Sequence, residues 1–122
     1  MDRRRDLGAD GERRAARALE AGGLRVVERN VRFAGGEIDL VCRDGDAWVF
    51  VEVKARRPGW DDAPRAAVSW AKQRRLVRLA QLYMKWRGLR DVRCRFDVVE
   101  VTAGGGEVRV RHVRSAFDAG PG

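Results

Sequence analysis

Three residues carry the chemistry this chain advertises: Asp39, Glu52 and Lys54. They lie in two apolar runs, Gly-Glu-Ile-Asp-Leu-Val-Cys from Gly36 and Ala-Trp-Val-Phe-Val-Glu-Val-Lys-Ala-Arg to Arg56, joined by Arg43-Asp44-Gly45-Asp46. A carboxylate on a buried strand is costly unless it is paired or holds a metal. Two acids with a lysine two residues beyond the second therefore point to a cation site beside a positive group.

The turn makes the geometry testable. Asp44-Gly45 between β-rich runs predicts a hairpin with a tight turn, both central residues at positive φ. With those two in the turn, Arg43 faces Asp46, Asp39 faces Phe50 and Glu37 faces Glu52. Side chains alternate along a strand, so Phe50, Glu52 and Lys54 share a face. Cross-strand neighbours share it too, which predicts Glu37, Asp39, Glu52 and Lys54 on one surface. Like charges directly opposite destabilise a sheet, so that surface calls for a cation. A three-residue loop would flip the parity and scatter the set, and Glu37 has the alternative of turning outward at the start of its strand.

Those strands need supporting elements. The pattern predicts a first helix over about Leu7–Ala21, ended by Gly22-Gly23. Its stripe is Gly8, Glu12, Ala15, Ala16 and Leu19, so Glu12 lies in the apolar face. An acid near a helix start is ordinarily a dipole or capping device, but small neighbours let this helix lie close to a sheet and aim Glu12 at the acids. Leu24–Arg29 predicts a first strand, and Val31–Phe33 opens a second that resumes after Gly35-Gly36. The third, about Ala47 to Ala55, is apolar enough to be covered on both faces. Arg57–Pro64 predicts a loop, with Trp60 packed as a satellite residue or offered for stacking.

Ser69 predicts the N-cap of a long second helix to about Arg87, closed by Gly88. Its apolar side holds Leu76, Leu79, Ala80 and Tyr83, with Lys72 one turn earlier. The other side carries Arg74, Arg75, Arg78 and Lys85, either a solvated face or a phosphate-contacting one. Val92–Val101 and Glu107–Val113 predict two last strands around Gly104-Gly105-Gly106, with Phe117 packed on the domain and the ends frayed. The order α-β-β-β-α-β-β describes an α/β domain with helices on the faces of a sheet.

At 122 residues the chain holds one core, with a domain body over about residues 7–117. Its net charge of +8 favours a polyanionic partner such as nucleic acid. Only Lys54, Lys72 and Lys85 are lysines, and an Arg-, Ala-, Gly- and Val-rich chain is also what the base composition of its coding DNA would produce. Cys42 and Cys94 have no Cys-x-x-Cys spacing and sit in apolar runs, so both are expected as buried free thiols with no zinc. No apolar stretch follows the charged start and none reaches membrane-span length, so a soluble cytoplasmic protein is expected. His112, the single histidine, has no evident partner and is expected in a structural or exposed role.

At Gly-Glu-Ile-Asp-Leu-Val and Phe-Val-Glu-Val-Lys-Ala-Arg the chain resembles the YraN family of small nuclease-like proteins. The likeness takes in Gly11-Glu12, Arg29-Asn30, Lys72, Arg95-Phe96-Asp97-Val98-Val99 and Ala116-Phe117. That family is similar to a compact PD-(D/E)XK nuclease, the restriction-endonuclease-like fold that restriction enzymes and Holliday-junction resolvases share: a mixed central sheet flanked by helices. The resemblance implies that Asp39 and Glu52 ligate Mg²⁺ or Mn²⁺, with the Val53 carbonyl and Glu12 assisting. It implies that Lys54 positions or activates the attacking water and stabilises charge on the phosphate. Arg56, Lys72 and Arg95 would contact nucleic acid. Ile38 stands where the wider fold has proline before the first acid, which leaves Asp39 itself in place.

The expectation is a metal-dependent endonuclease-like protein acting on DNA or RNA phosphodiesters. Structured or branched substrates are expected, because so small a domain offers little area for base readout, and a homodimer is expected if both strands are cut. The alternatives are a nucleic-acid-binding module that does not cut, and a structural subunit of a processing complex whose acids are neutralised by Arg56 or Arg95.

Overall fold

The computed structural model describes residues 3–56 and 68–119. Its elements are α1 (Arg3–Ala21), β1 (Arg25–Phe33), β2 (Gly36–Asp44), β3 (Ala47–Arg56), α2 (Trp70–Trp86), β4 (Cys94–Gly104) and β5 (Glu107–Phe117). This is the expected α-β-β-β-α-β-β order. One mixed sheet holds all five strands in the order β1-β2-β3-β4-β5. Every neighbouring pair is antiparallel except β3–β4. Parallel neighbours require a crossover, and α2 is part of it. The loop expected over Arg57–Pro64, with Trp60, lies outside the described residues. Among those described, no helix is long and apolar enough to cross a membrane.

Each helix covers one face of the sheet. Ala15, Ala16 and Leu19 of α1 pack with Leu40, Cys42, Val49, Val51, Val99 and Val101. Leu76, Leu79, Ala80 and Tyr83 of α2 pack on the other face with Ile38, Val41, Trp48, Phe50 and Phe96. The near-continuous apolar run of β3 is thereby explained: its odd residues feed one core and its even residues the other. At Gly11 α1 lies close to the sheet: an added Cβ would stand 3.4 Å from the Ala55 Cβ, in van der Waals contact with little room beyond it.

Several boundaries differ from expectation. The first helix begins at Arg3, because nothing in Arg3–Asp6 breaks a helix although the apolar pattern starts later. Val31–Phe33 completes β1 and does not open a second strand; the polar Glu28-Arg29-Asn30 triplet interrupts the pattern while pairing continues from Glu28↔Val41 to Phe33↔Gly36. The hairpin turn is Gly45-Asp46, with Asp44 opposite Ala47 and Arg43 opposite Trp48. Of these two turn residues only Gly45 has positive φ (59°), as a turn with glycine in its first central position requires. The pairing from Leu40 to Asp44 is therefore displaced by two residues. An even shift preserves which side chains share a face, so from Leu40 to Asp44 the predicted parity survives the wrong turn.

The last two strands also run further than expected. β5 continues to Phe117 because a bulge at the left-handed Ser115 (φ 49°) lets pairing resume at Phe96↔Phe117. Cys42 is buried as expected, whereas Cys94, at the first position of β4, is exposed.

Candidate functional site

Regular alternation fails in β2 at one residue. Leu40 and Cys42 enter the core under α1, yet Ile38 enters the core under α2. Residues 38, 40 and 42 of an undisturbed strand would share a face, so the strand turns over at Asp39. Pairing of β2 with β3 also begins only at Leu40↔Val51. The Asp39 carboxylate consequently projects into the gap between the two strands, where Oδ2 accepts the Val53 backbone N–H at 2.8 Å. Val53 is thus engaged at the site through its amide.

Glu37 and Glu12 reach the same gap. Glu12, Glu37 and Asp39 each offer an oxygen, and these oxygens lie within 4.8 Å of one another. Asn30 stands between Glu12 and Glu37, donating Nδ2 hydrogens to Glu12 Oε2 and to Glu37 Oε1, both at 2.7 Å. It lies between the Arg29↔Leu40 and Val31↔Ile38 pairs, in the strand register opposite Asp39, and has φ 52°. Asparagine tolerates that left-handed conformation better than most residues. Arg32 Nε holds the other Glu37 oxygen at 3.0 Å.

The three-carboxylate group contains Glu37, expected from the hairpin on the surface with Asp39, and leaves out Glu52, which the family resemblance implies as a ligand. Glu37 does not turn outward. Glu52 follows Trp48 and Phe50 on the α2 side of β3, where Lys72, Arg75 and Lys54 act on its charge. It remains close enough to Asp39 to act on its charge. Burial pushes the Asp39 pKa up to about 7, with the fields of Glu52, Glu12 and Glu37 adding and the Val53 amide opposing. Burial also raises the Glu52 pKa, against the pull of Lys72, Arg75 and Lys54. Crowded carboxylates of this kind repel one another and resist ionisation, and a positive charge beside them would favour their ionised form.

Beside this group, Glu52, Lys54, Ser69 and Lys72 line one cleft between the end of β3 and the start of α2. Ser69 caps α2, its Oγ accepting the Lys72 N–H at 3.2 Å. The structure therefore brings Lys54 and Lys72 to Glu52. Arg56 stands two residues beyond Lys54, opposite Thr102.

Arg95 is placed elsewhere. It pairs with Asp97 at 2.9 Å and with Asp44 at 2.8 Å. Asp97 is fully buried; it also meets His112 Nε2 at 2.7 Å and accepts the Ser115 N–H at 3.0 Å. Arg95 is thus a partner of a buried acid, and His112 has the partner that its sequence context did not reveal. The sequence reading missed Asn30 as a link between acids. The available signal was a polar residue with left-handed tolerance between two strand-like runs, Leu24–Arg29 and Val31–Phe33.

The chain matches the sequence model described as "Uncharacterised protein family UPF0102" over residues 11–101. It is 52% identical over 116 residues to a UPF0102 protein of Symbiobacterium thermophilum, covering 94% of this chain and 98% of that one. It is 46% identical over 117 residues to a UPF0102 protein of Anaeromyxobacter dehalogenans, covering 96% and 87% respectively. A UPF0102 protein of Chromohalobacter salexigens is 48% identical over 115 residues, covering 94% of this chain and 93% of that one. The matched span runs from Gly11 beside Glu12 to Val101 and includes every residue of the carboxylate group and the cleft. The chain belongs to the UPF0102 family, the YraN family.

Proposed function

We propose that this protein is a divalent-metal-dependent phosphodiesterase acting on nucleic acid, with a PD-(D/E)XK-like site. The observation that carries the proposal is the group Glu12, Glu37 and Asp39, whose oxygens lie within 4.8 Å of one another, next to a cleft lined by Glu52, Lys54 and Lys72. An all-oxygen, carboxylate-rich donor set fits a hard ion such as Mg²⁺ or Mn²⁺ and does not fit a softer one. Glu12, Glu37 and Asp39 would hold it, with Glu52 adjacent. Such an ion, when bound, supplies Lewis acidity toward a phosphodiester and toward water.

The remaining work falls to side chains. Lys54 presents an ammonium to the cleft, where it orients the attacking water and offsets charge developing on the phosphate. Lys72, in the first turn of α2, adds a second cation, and the helix N-terminus favours an anion in the same place. Asn30 keeps Glu12 and Glu37 facing one another. The Val53 amide fixes Asp39.

A non-cutting nucleic-acid-binding module is the second reading, favoured by the net charge of +8 and by the cations of α2. A cleavage screen with Mg²⁺ and Mn²⁺ separates the two, using duplex, flap, four-way-junction and RNA substrates. Cleavage that disappears in Asp39→Asn and Lys54→Ala supports hydrolysis. Salt-sensitive binding that both variants retain, with no cutting of any substrate, supports the binding module. Sedimentation in the same buffers tests whether a cutting form is a homodimer.

A further inference from the structure

The exposed side of α2 has a composition that a solvated helix face rarely shows. Trp70–Trp86 contains no acidic residue at all, so Arg75, Arg78 and Lys85 have no carboxylate partner on their own helix. A merely solvated face would alternate signs along the helix. Between these cations sit apolar groups: Leu82 is 44% exposed and Trp86 63% exposed. Leu82 and Trp86 are one turn apart, and Arg78 and Lys85 flank Leu82 at helical spacing. Arg75, Arg78, Leu79, Leu82 and Lys85 border one groove against Gly35 in the β1–β2 turn.

This strip begins beside the Glu52 cleft that borders the carboxylate group. The Arg75 side chain passes over Gly36, its Cδ lying 3.4 Å from where a Cβ would stand, and Gly36 adjoins Glu37. Arg75 and Lys72 both act on the charge of Glu52. From Arg75 to Trp86 the strip extends about 16 Å along the helix. At its far end Trp86 is held edge-on by Tyr83 (ring centroids 5.9 Å apart) and Phe33 (6.5 Å), so its ring is oriented.

We propose that the Arg75–Trp86 strip of α2 binds single-stranded nucleic acid and leads it to the Glu12/Glu37/Asp39 site. Cations in a row meet the phosphates, and the exposed Leu82 and Trp86 meet bases, which a single strand offers for stacking and an intact duplex keeps paired. The strip deepens the phosphodiesterase proposal by naming its substrate form and rests on it for the destination; binding to the strip is independent of cutting.

The test is fluorescence anisotropy of the full chain in EDTA with short dye-labelled oligo(dT), oligo(rU) and a blunt duplex of equal length. The single strands bind about tenfold more tightly than the duplex, and the tighter of the two identifies the sugar. Trp86→Ala weakens single-strand binding by about five- to 150-fold, the range seen for loss of one stacking platform. Because Trp86 also contacts Phe33 and Tyr83, a second variant is used: Arg78→Gln with Lys85→Gln, both on the exposed face. This pair lowers the slope of log affinity against log salt by about 1.4.

Equal affinity for duplex and single strand overturns the inference, as does affinity unchanged in both variants. A chain that dimerises through the strip, reverts to monomer with Leu82→Ala and lacks affinity for oligonucleotides also overturns it. Single-strand binding that follows the variants while no substrate is cut leaves the strip standing and defeats the hydrolase proposal. Cutting of single-stranded substrates with unchanged KM in both variants does the reverse.

Discussion

The Val53 amide donates to Asp39 Oδ2 at 2.8 Å, across the point where β2 and β3 cease to pair. One side-chain oxygen thus does what the next ladder acceptor would have done. The same bond anchors an acid whose pKa burial pushes up to about 7, from an ordinary value of 3.8. A carboxyl group with a raised folded-state pKa binds its proton more tightly in the native protein than in the unfolded chain. Its effect on stability is therefore most favourable below about pH 4 and is lost as pH rises toward 7. Glu52 shifts the same way. Thermal melts of the metal-free protein should show stability falling across that window, and Asp39→Asn should flatten the fall. Mn²⁺ competes with the proton, so it should raise Tm more at about pH 8 than at about pH 6. A pH-independent Tm shift would contradict the assignment of Asp39 as a ligand.

Asn30 permits backbone and side-chain roles to be separated. Its left-handed φ of 52° strains an alanine by roughly 1–2 kcal/mol but not a glycine. Asn30→Gly should accordingly leave urea stability close to wild type while removing both hydrogen bonds to Glu12 and Glu37. Partners of metal ligands typically contribute ten- to 100-fold in affinity. Calorimetric titration with Mn²⁺ should therefore show Asn30→Gly weakened by about that factor, and Asn30→Ala weakened with an added loss of stability. Unchanged affinity in Asn30→Gly would mean that the two glutamates need no positioning.

Arg95 tests a structural assignment against a functional one. Its guanidinium grips Asp97 through Nε and Nη2, at 2.9 and 3.0 Å. The arginine and the Ser115 amide hold the Asp97 carboxyl below its ordinary pKa against the pull of burial. Removing the arginine leaves the buried Asp97 charge poorly compensated, so Arg95→Ala should cost about 3–5 kcal/mol in urea unfolding and should leave the salt slope of oligonucleotide binding where it was. Asp97→Ala should destabilise less, because Arg95 keeps Asp44 at 2.8 Å. A reduced slope at unchanged stability would restore Arg95 to the nucleic-acid surface.

What the sequence disclosed and what it concealed divide along a physical line. Element order, the Ser69 cap and the burial of Ala15, Ala16 and Leu19 follow from local propensity and periodicity, which the chain writes residue by residue. Asp39, Glu52 and Lys54 stood out because charge in an apolar strand is locally anomalous. Glu37 was legible beside Asp39 on an acidic surface; that Glu52 stands outside the tight group was not, because it depends on β2 turning over at Asp39, a departure from regular alternation. The Asp97–His112 contact was hidden because it is tertiary: it depends on the β4–β5 register, which sets His112 opposite Val99 and within reach of Asp97. Asn30 belongs to both classes, since its left-handed tolerance is local while its bridging of Glu12 and Glu37 is tertiary. The breaks in regularity are where site geometry is made, and periodicity is blind to them.

Gly11 connects packing to the site through a single missing side chain. It is buried next to Glu12, and an added Cβ would meet Ala55 at 3.4 Å and Val101 at 4.0 Å. Ala in place of Gly gains roughly 1 kcal/mol of helix propensity, and ordinary contact at these distances offsets little of that. Gly11→Ala should therefore unfold within about 1 kcal/mol of wild type. Gly11→Val adds two methyl groups against β3 and β4, and overpacking of this kind costs about 1–3 kcal/mol. The lever also displaces α1 outward, drawing Glu12 away from Glu37 and Asp39. Urea unfolding and Mn²⁺ titration of the two variants should then diverge: Gly11→Ala near normal in both, Gly11→Val impaired in both. If Gly11→Val lost stability but kept full metal affinity, Glu12 would have no part in holding the ion, and the donor set would have to be completed by Glu52.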